Sequence, residues 1–448
     1  MRPRPTRPRL LQAMLDAFHL PDLRRRILMT LAILVVFRFI AHVSLPGVDP
    51  EALKRIFDPM SEGGVSGLLR MLDMFSGGMM RYFSIAALGV YPYITASIIM
   101  QLMVPVIPRL QALAQEGEAG RHKVDRITHW LTVPMAGVAG WGQLALFQRE
   151  GIFRTGVNEP LQTATMILAL IAGSMFLVWL GELITEYGIG NGISIIIFAG
   201  IVAGYVDLFP GMTLAAQQGQ WGGLVAYLIL GIATIAFIVI FTEAHRRIPV
   251  QYARMVMRGG RSYRQSGATH IPIRVNTAGM IPLIFAMSVV IFPATVASYF
   301  ANASNADPNL ANRILELFNP NAPMPMGLFY WGIYFFLVIA FAFFYTVVIF
   351  QQQDLAGNLQ KQGGFIPGIR PGKNTATYLN GVVNRITWAG ALFLALVAVL
   401  PFLAREITSV QVIQLSTMGL LIVVGVVLDT MKQMEAQLVM RRYEGFIK

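Results

Sequence analysis

The residues able to do chemistry are few and scattered. The chain has no cysteine, which removes disulfides, thiolate metal sites and a cysteine nucleophile. Its six histidines, at positions 19, 42, 122, 129, 245 and 270, form no HExxH or related ligand cluster, so no metal site is expected. There is no GxSxG elbow, no Walker loop and no aspartate pair inside an apolar block, so neither an intramembrane enzyme nor a nucleotide-driven pump has its parts. What remains is a handful of ionisable residues in or beside long apolar blocks: Arg38, Glu182 and Glu186. At mid-membrane such residues would mark a secondary transporter with inverted repeats. Arg38 lies toward the outer end of its block and the two glutamates near a block end, where all three can snorkel or meet loops.

The elements that must carry these residues are membrane helices. Of 448 residues, 55% are hydrophobic and 13% charged, against about 25% charged in a soluble domain. The apolar residues fall in continuous runs of about 20, the length that crosses a bilayer as a helix, without the alternation of barrel strands. Ten spans are expected near Ile27–Leu45, Tyr82–Val106, Ile127–Leu146, Leu161–Ile184, Ile189–Leu208, Leu224–Thr242, Thr277–Tyr299, Leu328–Phe350, Ile386–Leu403 and Ile413–Met431. Only Thr185–Gly188 separates the fourth from the fifth, so a tight turn is predicted there. The basic N-terminal stretch, with the first apolar block starting at Ile27 and no small-residue cleavage pattern after it, reads as a retained tail and not a signal peptide.

Charge placement orients the spans. The N-terminal tail and every second connection hold 26 of the 35 lysines and arginines, the opposite connections eight, and Arg38 sits within a span. Positive residues stay in the cytoplasm, so both termini are expected there. Two basic cytoplasmic segments, 243–276 and 351–385, are longer than a helix connection needs. They read either as orientation signals that touch anionic lipid or as docking surfaces. Between Gly63 and Gly78 lies an apolar stretch too short to span, interrupted by Arg70 and Asp73 and bracketed by glycine pairs. It reads either as a pore plug or as an amphipathic helix on the outer surface.

Several runs resemble the SecY family. They are FSGGMMRYFSIAALGVYPYITASIIMQL (Phe75–Leu102), WLGELITEYGIGNGISIIIFAGIVAG (Trp179–Gly204), HRRIPVQYARMV with HIPIRVNTAGMIPLIFA, GGFIPGIRPGKNTATYLNGVVNRIT (Gly363–Thr387), LLIVVGVVLDT and the tail RRYEGFIK. They occur in order and cover most of the chain. The resemblance implies an all-α polytopic protein of the bacterial inner membrane, with ten helices in two pseudo-symmetric halves around an hourglass pore. The halves would be 27–208 and 224–431, joined by an external hinge at 209–223 and flanked by cytoplasmic tails 1–26 and 432–448. It implies a protein-conducting channel that passes secretory chains and releases transmembrane segments sideways, with no cofactor.

Carried over residue by residue, the family's pore ring falls on Val90, Ile94, Ile193, Ile197, Ile284 and Ile422. Val90/Ile94 and Ile193/Ile197 are i,i+4 pairs and so share helix faces. An apolar ring can block ions by dewetting. The plug falls near 63–82, with Leu68, Leu69, Met71, Leu72, Met74 and Phe75 as its apolar residues. The lateral gate falls on Thr95, Gln101 and Asn276, with Phe292 on the same seam; the polar three also read as ordinary interhelical hydrogen-bonding residues. Docking falls on Arg254, Arg258, Arg261, Arg264, Arg370 and Lys373. Implied partners are SecE and SecG as a heterotrimer, the SecA ATPase, translating ribosomes, signal peptides and nascent chains, membrane lipids, and YidC and SecDF as further candidates. The sequence departs from the family before the tenth helix, where Ser416-Thr417-Met418-Gly419 replaces a Gly-Gly-Thr-Ser stretch.

Overall fold

The structure is a computed structural model. It describes residues 20–57, 73, 76–149, 151–153, 160–206, 212–213, 216–217, 219, 221–258, 261–279, 281–300, 309–319, 326–353, 355–408 and 417–444. The described helices are α1 (Pro21–Ala41), α2 (Pro50–Phe57), α3 (Tyr91–Met103), α4 (Pro108–Gln115), α5 (Glu118–Arg149), α6 (Pro160–Tyr187), α7 (Gly192–Val206), α8 (Trp221–Glu243), α9 (Ile281–Phe300), α10 (Leu310–Leu317), α11 (Met326–Gln353), α12 (Leu355–Lys361), α13 (Lys373–Thr408) and α14 (Thr417–Glu444). Three strands, β1 (His245–Arg258), β2 (Arg261–Arg274) and β3 (Gly364–Phe365), form one small antiparallel sheet in the order β2-β1-β3.

Among the described residues, α6, α8, α11 and α13 are long and apolar enough to cross a membrane alone. The pair Tyr91–Met103 and Pro108–Ala114 qualifies only jointly, and it bends by 103°. α7 and the Ile281–Ala294 part of α9 are shorter apolar helices. The second apolar block is helical only from Tyr91, nine residues later than its hydropathy suggests. Pro92 in the first helical turn explains the start: its fixed φ suits that turn, and the N–H it lacks has no helical partner there. Upstream, Phe83 takes a left-handed conformation at φ 40°. It is held there by full burial, by edge-on contact with Phe147 at 4.5 Å, and by the Leu45 N–H donating to its carbonyl at 3.0 Å.

The chain divides into two compact units. The first comprises Met1–Gln220, Ile291–Tyr330 and Ile422–Lys448; the second comprises Trp221–Val290 and Trp331–Leu421. The core of the first gathers Leu45, Leu53, Met80, Phe83, Leu88, Leu144, Phe147, Ile152 and Leu170. It fixes Leu45, Leu53, Met80, Phe83 and Leu88, which lie between α1 and α3, against α5 and α6. In the second, Phe241 of α8 stacks on Phe393 of α13 at 4.2 Å. A separate core there joins Ile248, Val250 and Ile273 of the hairpin to Leu359, Ile366, Leu379 and Val383.

That second core changes the picture of the two basic segments. The segment 243–276 forms a β-hairpin of two fourteen-residue strands in which Arg258 pairs with Arg261 across a two-residue connection. The segment 351–385 is mostly helical, because α11 runs on to Gln353, α12 follows and α13 begins at Lys373. β3 then adds to β1, so both segments share one sheet and one apolar core. The tight turn also shifts: α6 continues to Tyr187, and the connection is Gly188–Asn191.

Candidate functional site

The start of α7 is set by side chains. The Thr30 hydroxyl of α1 accepts from the Ile189 N–H at 3.2 Å, and Thr185 accepts from Gly192 at 2.9 Å. Asn191 accepts from Ser194 at 3.1 Å, the N-cap bond that begins the helix. A Cβ on Gly192 would lie 1.8 Å from the Gly181 carbonyl oxygen, so α6 and α7 cross backbone to backbone and Ile193 packs on Gly181. Ile193 and Ile197 follow one helical turn apart, both half-buried, while Ile195 and Ile196 between them are buried. On α3 the Ile94 N–H donates to the Val90 carbonyl at 3.0 Å, and Ser174 of α6 donates to the neighbouring Gly89 carbonyl at 2.9 Å. Val90 is buried and Ile94 half-buried. Ile422, in the second turn of α14, is buried too. These five belong to the first unit, and Ile284, also buried, to the second.

Before α3 in sequence, Asp73 and residues 76–82 form a clasped turn. Asp73 is 3% exposed and binds Arg81 three times: the backbone N–H donates to Oδ1 at 3.0 Å, and Nε and Nη2 donate to Oδ2 at 2.9 and 2.8 Å. The Asp73 carbonyl accepts from Gly78 N–H and the Ser76 hydroxyl, which in turn accepts from Met80 N–H. Arg38 donates to the Gly77 carbonyl at 3.3 Å. Gly77, at φ +72°, comes so close to Gly200 of α7 that a Cβ on it would lie 2.6 Å from the Gly200 Cα. The turn is therefore tied to α1 and α7 at once. Leu68, Leu69, Met71, Leu72, Met74 and Phe75 lie outside the described residues.

The gate candidates divide by hydrogen bonding. Thr95 spends its hydroxyl within α3 on the Tyr91 carbonyl at 3.0 Å. Gln101 donates to Ser97 at 3.3 Å, while its buried Oε1 has no partner among the described residues. Asn276, 7% exposed beside Gly390 of α13, likewise has a buried, unpartnered Oδ1. Phe292 is exposed on α9. A buried amide oxygen without a donor is destabilising. Asn276→Leu, close in shape, should therefore raise stability by about 1–2 kcal/mol, read as a higher unfolding temperature. A residue acting as interhelical hydrogen-bonding glue would give the opposite sign.

The docking candidates occupy one body. Arg254, Arg258, Arg261 and Arg264 are strand positions toward the closed end of the hairpin. Arg370 and Lys373 are exposed, on a connection anchored from below by Ile366 and Ile369 and closed by Thr375 donating to the Arg370 carbonyl at 3.0 Å.

Comparison with known proteins is decisive at this point, since the SecY family model matches residues 84–431. The chain belongs to the SecY family. The protein translocase subunit SecY of Streptomyces lividans is 41% identical over 98% of this chain and its own full length, and that of Thermotoga maritima is 41% identical over 98% of both. Among solved structures, a protein-conducting channel aligns with a TM-score of 0.63 at 18% identity over 93% of each chain. Sec61 of the canine ribosome–channel complex aligns with a TM-score of 0.61 at 17% identity, again over 93% of each. A multi-pass helical membrane protein with the SecY fold is thus at hand. Its function is that of a translocase subunit and not of an enzyme, and the inverted-repeat transporter is set aside.

Within this SecY-family chain, sequence reasoning missed the fastening of the 73–82 turn. Two signals were present: an arginine alone in an apolar span, which calls for a partner, and paired glycines, which permit close backbone approach.

Proposed function

We propose that the chain is the channel-forming subunit of a bacterial Sec translocon, with ten spans in two pseudo-symmetric halves and both termini in the cytoplasm. Secretory polypeptides pass through an aliphatic waist built from Val90, Ile94, Ile193, Ile197, Ile284 and Ile422, and hydrophobic segments leave sideways past Thr95, Gln101, Asn276 and Phe292. The segment 63–82 is the plug. The observation that carries the reading is the fastening of residues 73–82 to α7, the helix that bears Ile193 and Ile197. An amphipathic helix lying on the outer surface has no need of a backbone-to-backbone contact with a buried glycine. Amide oxygens at Gln101 and Asn276 that have no partner among the described residues suit a seam that must open, because a satisfied bond there would have to be broken each time.

An aliphatic waist fits around unlike peptides without demanding any one hydrogen bond, and when empty it dewets and stops ions. Ile94→Asn should wet it, giving an ion leak in vesicles and looser demand on signal-sequence quality. Unchanged conductance together with unchanged export of weak signals would count against the ring.

SecE and SecG complete the heterotrimer in this proposal, SecA drives secretion, and ribosomes dock for insertion, with YidC and SecDF as further partners. The joint body of hairpin and 351–385 segment supports the reading, because the two basic segments share one sheet and one apolar core. A guanidinium offers five fixed donors to an acidic or phosphate partner. Arg370→Glu should lower SecA-driven export about tenfold or more, the worth of a charge-assisted pair, while sparing insertion. Equal loss of both activities would contradict a specific coupling role.

A further inference from the structure

Glu182, one of the few ionisable residues at an apolar block, has a partner on the neighbouring helix. The Nε2 of His129 on α5 lies 2.9 Å from the Glu182 Oε1 on α6, with the histidine side chain 24% exposed and the glutamate side chain 51% exposed. The contact is an ion pair by distance and not an aligned hydrogen bond, since the buried Nε2 has no hydrogen-bond partner among the described residues. The imidazole also packs on Tyr93 of α3, with ring centroids 5.4 Å apart and planes 32° from parallel. One histidine thus joins α3, α5 and α6, all within the first compact unit.

Both contacts favour the charged ring. An unaligned pair draws its strength from charge and not from a shared proton. An aromatic face attracts a cation through its quadrupole. The elements packed on α5 are α3, α4 and α6. Besides Tyr93, α3 carries Tyr91, and α4 carries Arg109. Besides Glu182, α6 carries Glu186 and Tyr187, and on α5 itself Asp125 and Arg126 stand about one turn before His129. Arg109, Arg126 and Glu186 are exposed, where water and salt screen them. Asp125 and Glu182 act electrostatically on Tyr93, so the ring sits among acidic groups. Histidine is the side chain whose charge ordinarily changes between about pH 5 and 8. Below that range the ring is charged and both contacts hold; as pH rises through it the charge goes and both weaken.

We propose that His129 is a positioning residue: protonated, its ring ties α3 to α5 and α6, and neutral, it releases α3. An ionisable pair at an apolar span is costly unless it serves such a purpose. Tyr93 immediately precedes Ile94 on α3, so the tie reaches the aliphatic waist. That consequence alone rests on the waist assignment made above; the tie itself does not.

The test uses the full chain with its co-purifying subunits in lipid vesicles. The chain has no cysteine of its own, so spin labels attach only at Met103→Cys on α3 and Leu168→Cys on α6, both exposed positions. The distance between the labels is measured at acidic and alkaline pH, on either side of the histidine range. A second, looser population is expected to grow about fivefold from the acidic to the alkaline sample, the worth of a half-exposed ion pair. His129→Gln should show the alkaline distribution in both samples and His129→Arg the acidic one, while Glu182→Gln should lose most of the response. A parent distribution that ignores pH, or a response that survives in both His129→Gln and Glu182→Gln, would overturn the tie. Ion flux through the same vesicles should rise with pH in the parent and stay low in His129→Arg. Distances that respond while flux does not would overturn the link to Ile94 and leave the tie standing. Failure of the waist assignment shows separately, as an Ile94→Asn protein that leaks no more than the parent.

Discussion

Gly200→Leu is expected to make the resting channel leak ions. A Cβ at Gly200 would lie 2.7 Å from the Cα of Gly77, where carbon atoms need about 3.5–4.0 Å. Neither partner in this contact is a side chain that could swing aside. Gly77 is held at φ +72° between the Gly78 N–H bond to Asp73 and the Arg38 bond to its own carbonyl. α7 is held by its N-cap and by the glycine crossing with α6. The overlap is therefore relieved by displacing the 73–82 turn. Overpacking of this kind costs about 1–3 kcal/mol where side chains can yield and more where they cannot; at about 3 kcal/mol the displaced state gains roughly a hundredfold in population. Ion flux through proteoliposomes checks this. Gly332→Leu, on a helix glycine with open space around it, serves as control and should stay tight. A Gly200→Leu protein that seals as well as the parent would remove the turn from the seal.

The difference between what hydropathy reveals and what it hides runs along the same elements. α6, α8 and α11 lie where continuous apolar runs place them, since burial in lipid needs only length and composition. Helix ends outside the apolar runs were hidden. α5 begins at Glu118, α13 at Lys373, and α14 runs on to Glu444, all through charged residues that a hydropathy window discards. The hairpin was hidden for a different reason. Gly259-Gly260, between two strands of equal length, is a two-residue turn signal. The arginines around it drew attention to charge, and the apolar residues at its base, Ile248, Val250 and Ile273, find partners in Leu359, Ile366, Leu379 and Val383, far along the chain. No local pattern reports a contact of that kind.

The candidate site shows the same limit. Face-sharing of Val90 with Ile94 and of Ile193 with Ile197 is an expectation from spacing alone; in the structure the Ile94 N–H donates to the Val90 carbonyl, and Ile193 and Ile197 lie one turn apart on α7. The reason those faces are held where they are does not follow from spacing. It depends on Thr30 reaching Ile189 and on Gly192 meeting Gly181, contacts between residues that are ordinary one at a time.

Asp73→Asn should open the same clasp by a purely electrostatic route. The substitution preserves volume and removes the charge on which two guanidinium nitrogens and a backbone N–H converge. Breaking a fully buried ion pair costs about 3–5 kcal/mol, chiefly because a charge is stranded. The Arg81 side chain is 33% exposed and Asp73's 4%, so water recovers part of that, and about 2 kcal/mol remains at the turn. The expected result is an ion leak smaller than that of Gly200→Leu and insensitive to ionic strength, because a buried pair is little screened by salt. Asp73→Leu combined with Arg81→Leu should leak less than Arg81→Leu alone, since the buried Asp73 carboxylate is not left uncompensated. If the two single variants simply add, Asp73 and Arg81 act independently, and the turn is held by its glycines and backbone bonds alone.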